Sequence, residues 1–390
     1  LSTPRITVGL PAYKGADLIG KCLDCLQRQT FGNFEAIISV DGGDAETAAA
    51  CRPFLADPRF RMVVQNVRLD WVGNFNWLLQ QDLREFFCYR QHDDTTAPEF
   101  FEVLLQAADK EPNAAAIYCD NQYIGGDNIE IAQSIEGETL CRMLRYIELQ
   151  SAVPVRGLIR SVAIRQAGLV RSDEYRAPRE VFVWLAKLVR WGCFRRVAKP
   201  LYYRLDHPHS FTSEYWRSRQ DRLQAVWTTL FTGLLEAAMP LCRTPAERRF
   251  FQQLILERIV ADWPTTEPTP AGKIIAACME RLKFEGNTHL FRPEELPPIL
   301  EELKCRPDKV LKRSRMRRVI DRIRARFRIA KLIYPRSRIQ RVIFQIRQLF
   351  ETLRDKMSWL LVTGVIPYQR KMAGNAQRDR AKSDTSGGHS

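Results

Sequence analysis

Residues 35–44 read EAIISVDGGD, an apolar run that stops abruptly at Asp-Gly-Gly-Asp. A short apolar run bounded by turn residues is the pattern of a buried strand, with Asp41 at its tip. The two glycines after Asp41 let a ligand come close to the backbone. Residues 16–29 before this run and 44–55 after it carry apolar side chains at helical spacing. The same alternation continues in both directions. RITVGL (5–10), RMVVQ (61–65), REFFCYR (84–90) and AAAIYC (114–119) have the character of strands, and 72–82 and 98–109 that of helices. Strand and helix in alternation predict an α/β fold, a Rossmann-like, mostly parallel sheet with helices on both faces. Such sheets bind ligands beyond the carboxyl ends of their strands, so residues just after strands are the candidates for chemistry.

Further along, 137–212 is mixed, with a helix near 178–191 and a strand near 194–204. From about 214 the pattern is helical, in amphipathic runs at 215–237, 244–262 and 270–283 separated by breaks such as WPTTEPTP. The polar tail NAQRDRAKSDTSGGHS has the composition of a disordered segment. There are no internal repeats.

At 390 residues, 45% hydrophobic and 27% charged, the chain has the composition of a soluble globular protein with two or three domains. The longest apolar run, MSWLLVTGVIPY at 357–368, falls short of the ~20 residues a spanning helix needs. No signal peptide is recognisable, so the expected compartment is a reducing cytoplasm. Of ten cysteines, Cys22 and Cys25 stand at CxxC spacing within an amphipathic helix. No second Cys or His pair follows at zinc-finger distance, and they are read as core thiols. The net charge of +15 is concentrated: residues 309–347 hold fifteen Lys/Arg and one acid, Asp321, a net +14 that leaves +1 for the rest. A near-neutral body with one cationic appendage argues against a general nucleic-acid binder.

Four polar clusters follow strand ends: LPAYKG with Tyr13, VDGGD with Asp41, QHDDT with Asp93 and Asp94, and YYRLDHPHS after the late strand. Adjacent carboxylates at a strand tip suit a hard divalent cation such as Mg²⁺ or Mn²⁺, which takes one or two carboxylates together with substrate phosphates. The alternative for Asp94 is a capping or turn role before the helix that begins near Pro98.

Over its first ~210 residues the chain resembles an inverting family 2 glycosyltransferase of the GT-A fold. ITVGLPAYKG is similar to the family's opening strand and loop, and CLQRQTFGNFEAIISVDGGDAET to its SLxxQT…EIIVVDDGSxDxT segment. LDWVGNFNWLL resembles GxxxAxNxGL, QHDDTTAPEFF resembles DADDxxxPxxL, and LYYRLDHPHSFT resembles YYRxHPxSxS. The resemblance implies that Pro11, Ala12 and Tyr13 line the nucleotide base and that Asp41 hydrogen-bonds it. Gly73 and Asn76 would shape the nucleotide pocket. His92 and Asp93 fall in the DXD-like segment, Asp93 at its metal-binding acid. Asp94 would share the metal, and His207 would approach metal or diphosphate from the other side, with Arg204 and Ser210 nearby. Gly157 matches the small residue of the acceptor-side loop.

Two departures from the family stand out. Gln91 occupies the first acid position of DXD. The helix that reads EDxxLxxRLxxxG in the family reads REVFVWLAKLVRWG here, which places Glu180 at the Glu and Val181 at the catalytic Asp. Glu180 is the candidate base, with Asp173 and Glu174 as alternatives; its other reading is a first-turn acid favoured by the helix dipole.

These readings divide the chain into 1–125 (nucleotide-sugar half), 126–213 (acceptor half), 214–305 (helical domain), 306–368 (cationic amphipathic helices) and 369–390 (tail). In the cationic stretch Val319, Ile320, Ile323, Phe327, Ile329 and Ala330 alternate with arginines, and Pro335 divides it in two. That pattern suits the surface of an anionic membrane at 309–368; self-association and nucleic acid are the other partners considered, with nucleic acid the least favoured. The expected activity is metal-dependent transfer from a nucleotide-diphosphate sugar, UDP-sugar first, to a glycan or lipid-linked acceptor at the cytoplasmic membrane face. The alternative is a catalytically impaired GT-A-like scaffold that binds a nucleotide sugar or a polyanion.

Overall fold

Ile6–Ala12 (β1) is buried along nearly its whole length because it has a parallel neighbour on each side, Phe34–Val40 (β2) and Phe86–Tyr89 (β4). Phe60–Val64 (β3) continues the parallel set beyond β2. On the other flank β4 pairs antiparallel with Leu158–Arg160 (β8), and β8 pairs antiparallel with Ala114–Tyr123 (β6). Cys193–Arg204 (β9) runs parallel to β6, Thr95–Thr96 (β5) pairs antiparallel with β9, and Ile129–Glu130 (β7) with β6. The result is a mixed, mostly parallel sheet in the order β3-β2-β1-β4-β8-β6-β9-β5. This computed structural model describes residues 3–124, 128–171, 179–205 and 220–262.

The helices are α1 (Ala16–Gln27), α2 (Ala45–Cys51), α3 (Asp70–Leu79), α4 (Phe100–Lys110), α5 (Thr139–Leu149), α6 (Ser161–Ala167), α7 (Glu180–Leu188), α8 (Gln220–Ala238) and α9 (Pro245–Asp262). α1 buries Ile19, Cys22, Leu23 and Leu26, the i, i+3, i+4, i+7 stripe of an amphipathic helix against a sheet. Cys22 and Cys25 are buried thiols on that face. α2 stops earlier than its apolar spacing suggests. Pro53 has no N–H to continue an α-helix, and Arg52–Ala56 forms a 3₁₀ turn instead.

All five expected strands of the first half are present, as is the late one. The sequence reading did not resolve α5, α6, β5, β7 or β8. β8 has only three residues, and it reverses the chain direction between two strands that both run with β1. Its placement depends on Gly157, where a Cβ would lie 2.1 Å from the carbonyl oxygen of Ile117 on β6. The helix expected at 270–283, the cationic stretch at 306–368 and the tail at 369–390 lie outside the described residues. None of the described helices is long and apolar enough to cross a membrane.

The topology sets where chemistry can occur. β1, β2, β3, β4, β6 and β9 all point the same way, so their carboxyl ends share one edge of the sheet. Because β8 runs the opposite way, its amino end, with Arg156 just before it, reaches that same edge.

Candidate active site

At this edge the loop after β1 meets the loops after β2 and β3. The Asp41 N–H donates to the Ala12 carbonyl at 2.9 Å, which sets the two strand tips side by side. The Asp41 side chain is only 2% exposed. Its Oδ1 accepts the Leu69 N–H at 2.7 Å, and its Oδ2 lies 3.0 Å from Arg68 Nε. The Arg68 guanidinium lies over the Tyr13 ring, 3.2 Å from its centroid, and Nε also donates to Asp70 Oδ1 at 3.0 Å. Gly42 and Gly43 adopt φ of 62° and 70°, the left-handed region that glycine enters freely. Asp44 then caps α2, accepting from Thr47 N–H and from the backbone N–H of Lys14. Burial opposes its charge, but these donors prevail and hold its carboxyl below the usual range.

QHDDT follows β4. His92 packs against Gly15 at the start of α1, where an added Cβ would lie 2.5 Å from the imidazole. Gln91 Oε1 accepts two hydrogen bonds from Arg156, from Nε at 3.2 Å and Nη2 at 3.0 Å. Asp93 is half-buried. Asp94 is buried, and both its oxygens are engaged: Oδ2 accepts from the Tyr202 hydroxyl at 2.8 Å and Oδ1 from the Leu205 N–H at 3.0 Å. Arg156 Nε is 3.8 Å from the same carboxylate. Burial, with Asp93 beside it, pushes the Asp94 carboxyl up despite these donors. The fully buried Arg90 lies between the Phe100 and Tyr202 rings, 5.0 Å from each centroid.

The remaining expected residues divide between local structure and this edge. Asn76 makes a tertiary tie: its Nδ2 donates to the Val170 carbonyl at 2.8 Å and its Oδ1 accepts the Val170 N–H at 2.9 Å. Gly73 packs against Leu69 at the start of α3. Gly157 makes room for the β6 backbone. Arg204, at the end of β9, donates to the Tyr123 hydroxyl at 2.7 Å and pairs with Glu130 at 3.5 Å. Glu180 is 1% exposed and pairs at 3.3 Å with Arg171, which also contacts Glu236 and the Thr229 carbonyl on α8. His207, Ser210, Asp173 and Glu174 lie outside the described residues. A cavity of about 260 Å³ between α6, α7 and α8, lined by Lys187, Arg190, Trp191 and Glu236, is remote in sequence from these strand-end loops.

As a metal site, the described residues offer a sparse donor set. No group of three or more His, Cys, Asp or Glu converges among them. Asp94 fits a metal poorly, because its oxygens serve the β9 exit. Asp93 fits the mode in which Mg²⁺ or Mn²⁺ takes one protein carboxylate and fills its shell with water and phosphate oxygens. Arg68, Arg156, Tyr202 and Arg90 were not singled out from the sequence. Each owes its place to a partner distant in the chain; Arg90, beside QHDDT, and Tyr202, in YYRLDHPHS, had a local signal.

Residues 7–166 match the Glycosyl transferase family 2 family. The putative glycosyltransferase EpsH of Bacillus subtilis (strain 168) is 31% identical over 113 residues, 28% of this chain and 32% of that protein. The uncharacterized protein y4gI of Sinorhizobium fredii (strain NBRC 101917 / NGR234) is 26% identical over 141 residues, 35% of this chain and 14% of that protein. The chain thus spans about a third or less of the length of these curated relatives. Among solved structures, S. aureus TarS 1–349 in complex with UDP-GlcNAc aligns with a TM-score of 0.54 at 17% identity, over 71% of this chain and 82% of that one. That likeness is one of fold, and the sheet is of the GT-A type.

Proposed function

We propose that this chain, whose residues 7–166 form a glycosyl transferase family 2 domain, transfers a sugar from a nucleoside-diphosphate sugar to a glycan or lipid-linked acceptor, with inversion. The observation that carries this reading is the meeting, at one sheet edge, of Tyr13 and Asp41 with the half-buried Asp93. An aromatic face beside a buried carboxylate suits a nucleobase, and a carboxylate one loop away suits the diphosphate end. The UDP-GlcNAc held by TarS supports a UDP-sugar as the first donor to test.

Asp93 would hold Mg²⁺ or Mn²⁺, which when bound offsets the charge that builds on the departing diphosphate. Arg156 fixes Gln91 and stands by Asp94, and so holds the loop that presents Asp93. The acceptor hydroxyl must lose a proton as it attacks the anomeric carbon. We assign that proton to a carboxylate at the entry to α7: Glu180, or Asp173 or Glu174 just before it. At 1% exposure Glu180 reaches an acceptor only if its pair with Arg171 opens.

The test is turnover of a panel of nucleotide sugars with and without Mn²⁺. Asp93→Ala should abolish metal-stimulated turnover; full transfer with metal dependence intact would overturn the metal assignment. Among Glu180→Gln, Asp173→Asn and Glu174→Gln, the variant that lacks the base should lose about 10²- to 10⁴-fold in kcat. A second reading, a scaffold that binds nucleotide sugar without transferring it, is favoured by Gln91 and Val181 at two acid positions. Binding without transfer or hydrolysis across the whole panel would establish it.

A further inference from the structure

A single guanidinium already makes both contacts that a nucleobase would make in this pocket. The guanidinium carbon of Arg68 sits over the Tyr13 ring, 3.2 Å from its centroid, and its Nε stands 3.0 Å from Asp41 Oδ2. The other oxygen of Asp41 accepts the Leu69 N–H, which leaves Oδ2 as the oxygen that Arg68 engages. A guanidinium is planar, stacks on aromatic faces and presents N–H donors to a carboxylate. The imino edge of uracil offers the same combination of a flat ring and an N–H.

We propose that Arg68 is a built-in stand-in for the base, which it must vacate when the nucleotide donor binds. This rests on Tyr13 and Asp41 forming the base pocket. Asp41 is 2% exposed, and a buried carboxylate left without a cation or a second donor is costly. Arg68 matches that carboxylate until the base arrives. Its release is local: the side chain is 40% exposed on the loop between β3 and α3. Asp70 Oδ1, also 3.0 Å from Nε, keeps a partner for the displaced guanidinium. The exchange also selects among bases. A ring without an N–H at that edge cannot replace the arginine, because Asp41 would be left unmatched.

The experiment titrates wild type, Arg68→Ala, Arg68→Gln and Tyr13→Ala with uridine, 3-methyluridine and UDP, followed by ligand and protein NMR. Uridine carries no phosphate, so removing a cation affects only the base contacts. Arg68→Ala should bind uridine about three- to tenfold more tightly than wild type, the scale of one exposed cation–π contact and one ion pair. Arg68→Gln, which keeps a donor to Asp70, should fall between them, and 3-methyluridine should bind wild type least. Equal or weaker uridine binding in both Arg68 variants, with binding lost in Tyr13→Ala, overturns the displacement and leaves the pocket standing. If no variant binds uridine or UDP, the pocket assignment fails and the proposal fails with it.

Discussion

Asp93 and Asp94 are chemically identical neighbours that the fold treats in opposite ways. Asp94 is buried against the β9 exit, with the Tyr202 hydroxyl and the Leu205 N–H on its two oxygens. Asp93 is left half-buried at the same edge of the sheet. Because Asp94's carboxyl is raised by burial and by Asp93, the native state holds its proton at a pH where the unfolded chain has released it. Stability therefore falls as pH rises from about 4, the unfolded value, through the raised native one. Asp94→Asn removes that slope, but its single carbonyl oxygen accepts from only one of the two donors. The expected cost is about 1–3 kcal/mol in urea unfolding, with the gap from wild type narrowing as pH rises. Asp93→Asn, at the less buried position, should cost less than Asp94→Asn in urea unfolding while losing metal-stimulated turnover. A large unfolding cost at Asp93 would show that it too is structural. Gln91 belongs to the same argument. An acid was expected there, but Arg156 is the partner at that position, and the amide oxygen satisfies its guanidinium without adding a third negative charge to the loop.

At the scale of elements, two residues expected at the ligand also hold elements together. Asn76 ties α3 to the segment before α7 through two hydrogen bonds to Val170. Glu180, through Arg171, ties α7 to α8. Asn76→Ala should cost about 1–3 kcal/mol by leaving the Val170 N–H and carbonyl without this partner, and Glu180→Ala about 1–3 kcal/mol, because Arg171 keeps Glu236 and the Thr229 carbonyl. Thermal unfolding of Glu180→Gln against Glu180→Ala separates the structural role from chemistry, since a base that did no structural work would leave both melting temperatures unchanged. These cases also show what the sequence could reveal. The alternation of strand and helix was legible because hydrophobic period is a local property, and so were the strand tips that carry Tyr13, Asp41 and Asp93. β8 was not, because three residues hold no period and the strand exists only through β4 and β6. Nor were Arg68 and Arg156, whose roles depend on Asp41 and Gln91, 27 and 65 residues away in the chain.

For the whole molecule the governing fact is charge asymmetry: +14 on residues 309–347 against +1 elsewhere. The near-neutral remainder gains little from long-range attraction to an anionic surface, so any such attraction must come through the cationic stretch. Each Lys or Arg near an anionic leaflet contributes about 1 kcal/mol, so a third of the fifteen would suffice to hold the protein at a membrane in low salt. That attraction decays within about 10 Å at 0.1 M salt and about 3 Å at 1 M, whereas the apolar stripe between the arginines is indifferent to salt. The full chain should therefore sediment with vesicles containing anionic lipid at 0.1 M salt, and largely release from them at 1 M. Neutral vesicles should retain little of it. Deletion of 309–368 should remove the binding while leaving UDP-sugar turnover in solution intact, because the proposed active-site residues all precede that stretch. Preferential retention by RNA over vesicles, or an unchanged vesicle affinity in the deletion, would rule out the membrane as the partner of this segment. A fall in native mass on deletion, with vesicle binding absent from the start, would assign it to self-association instead.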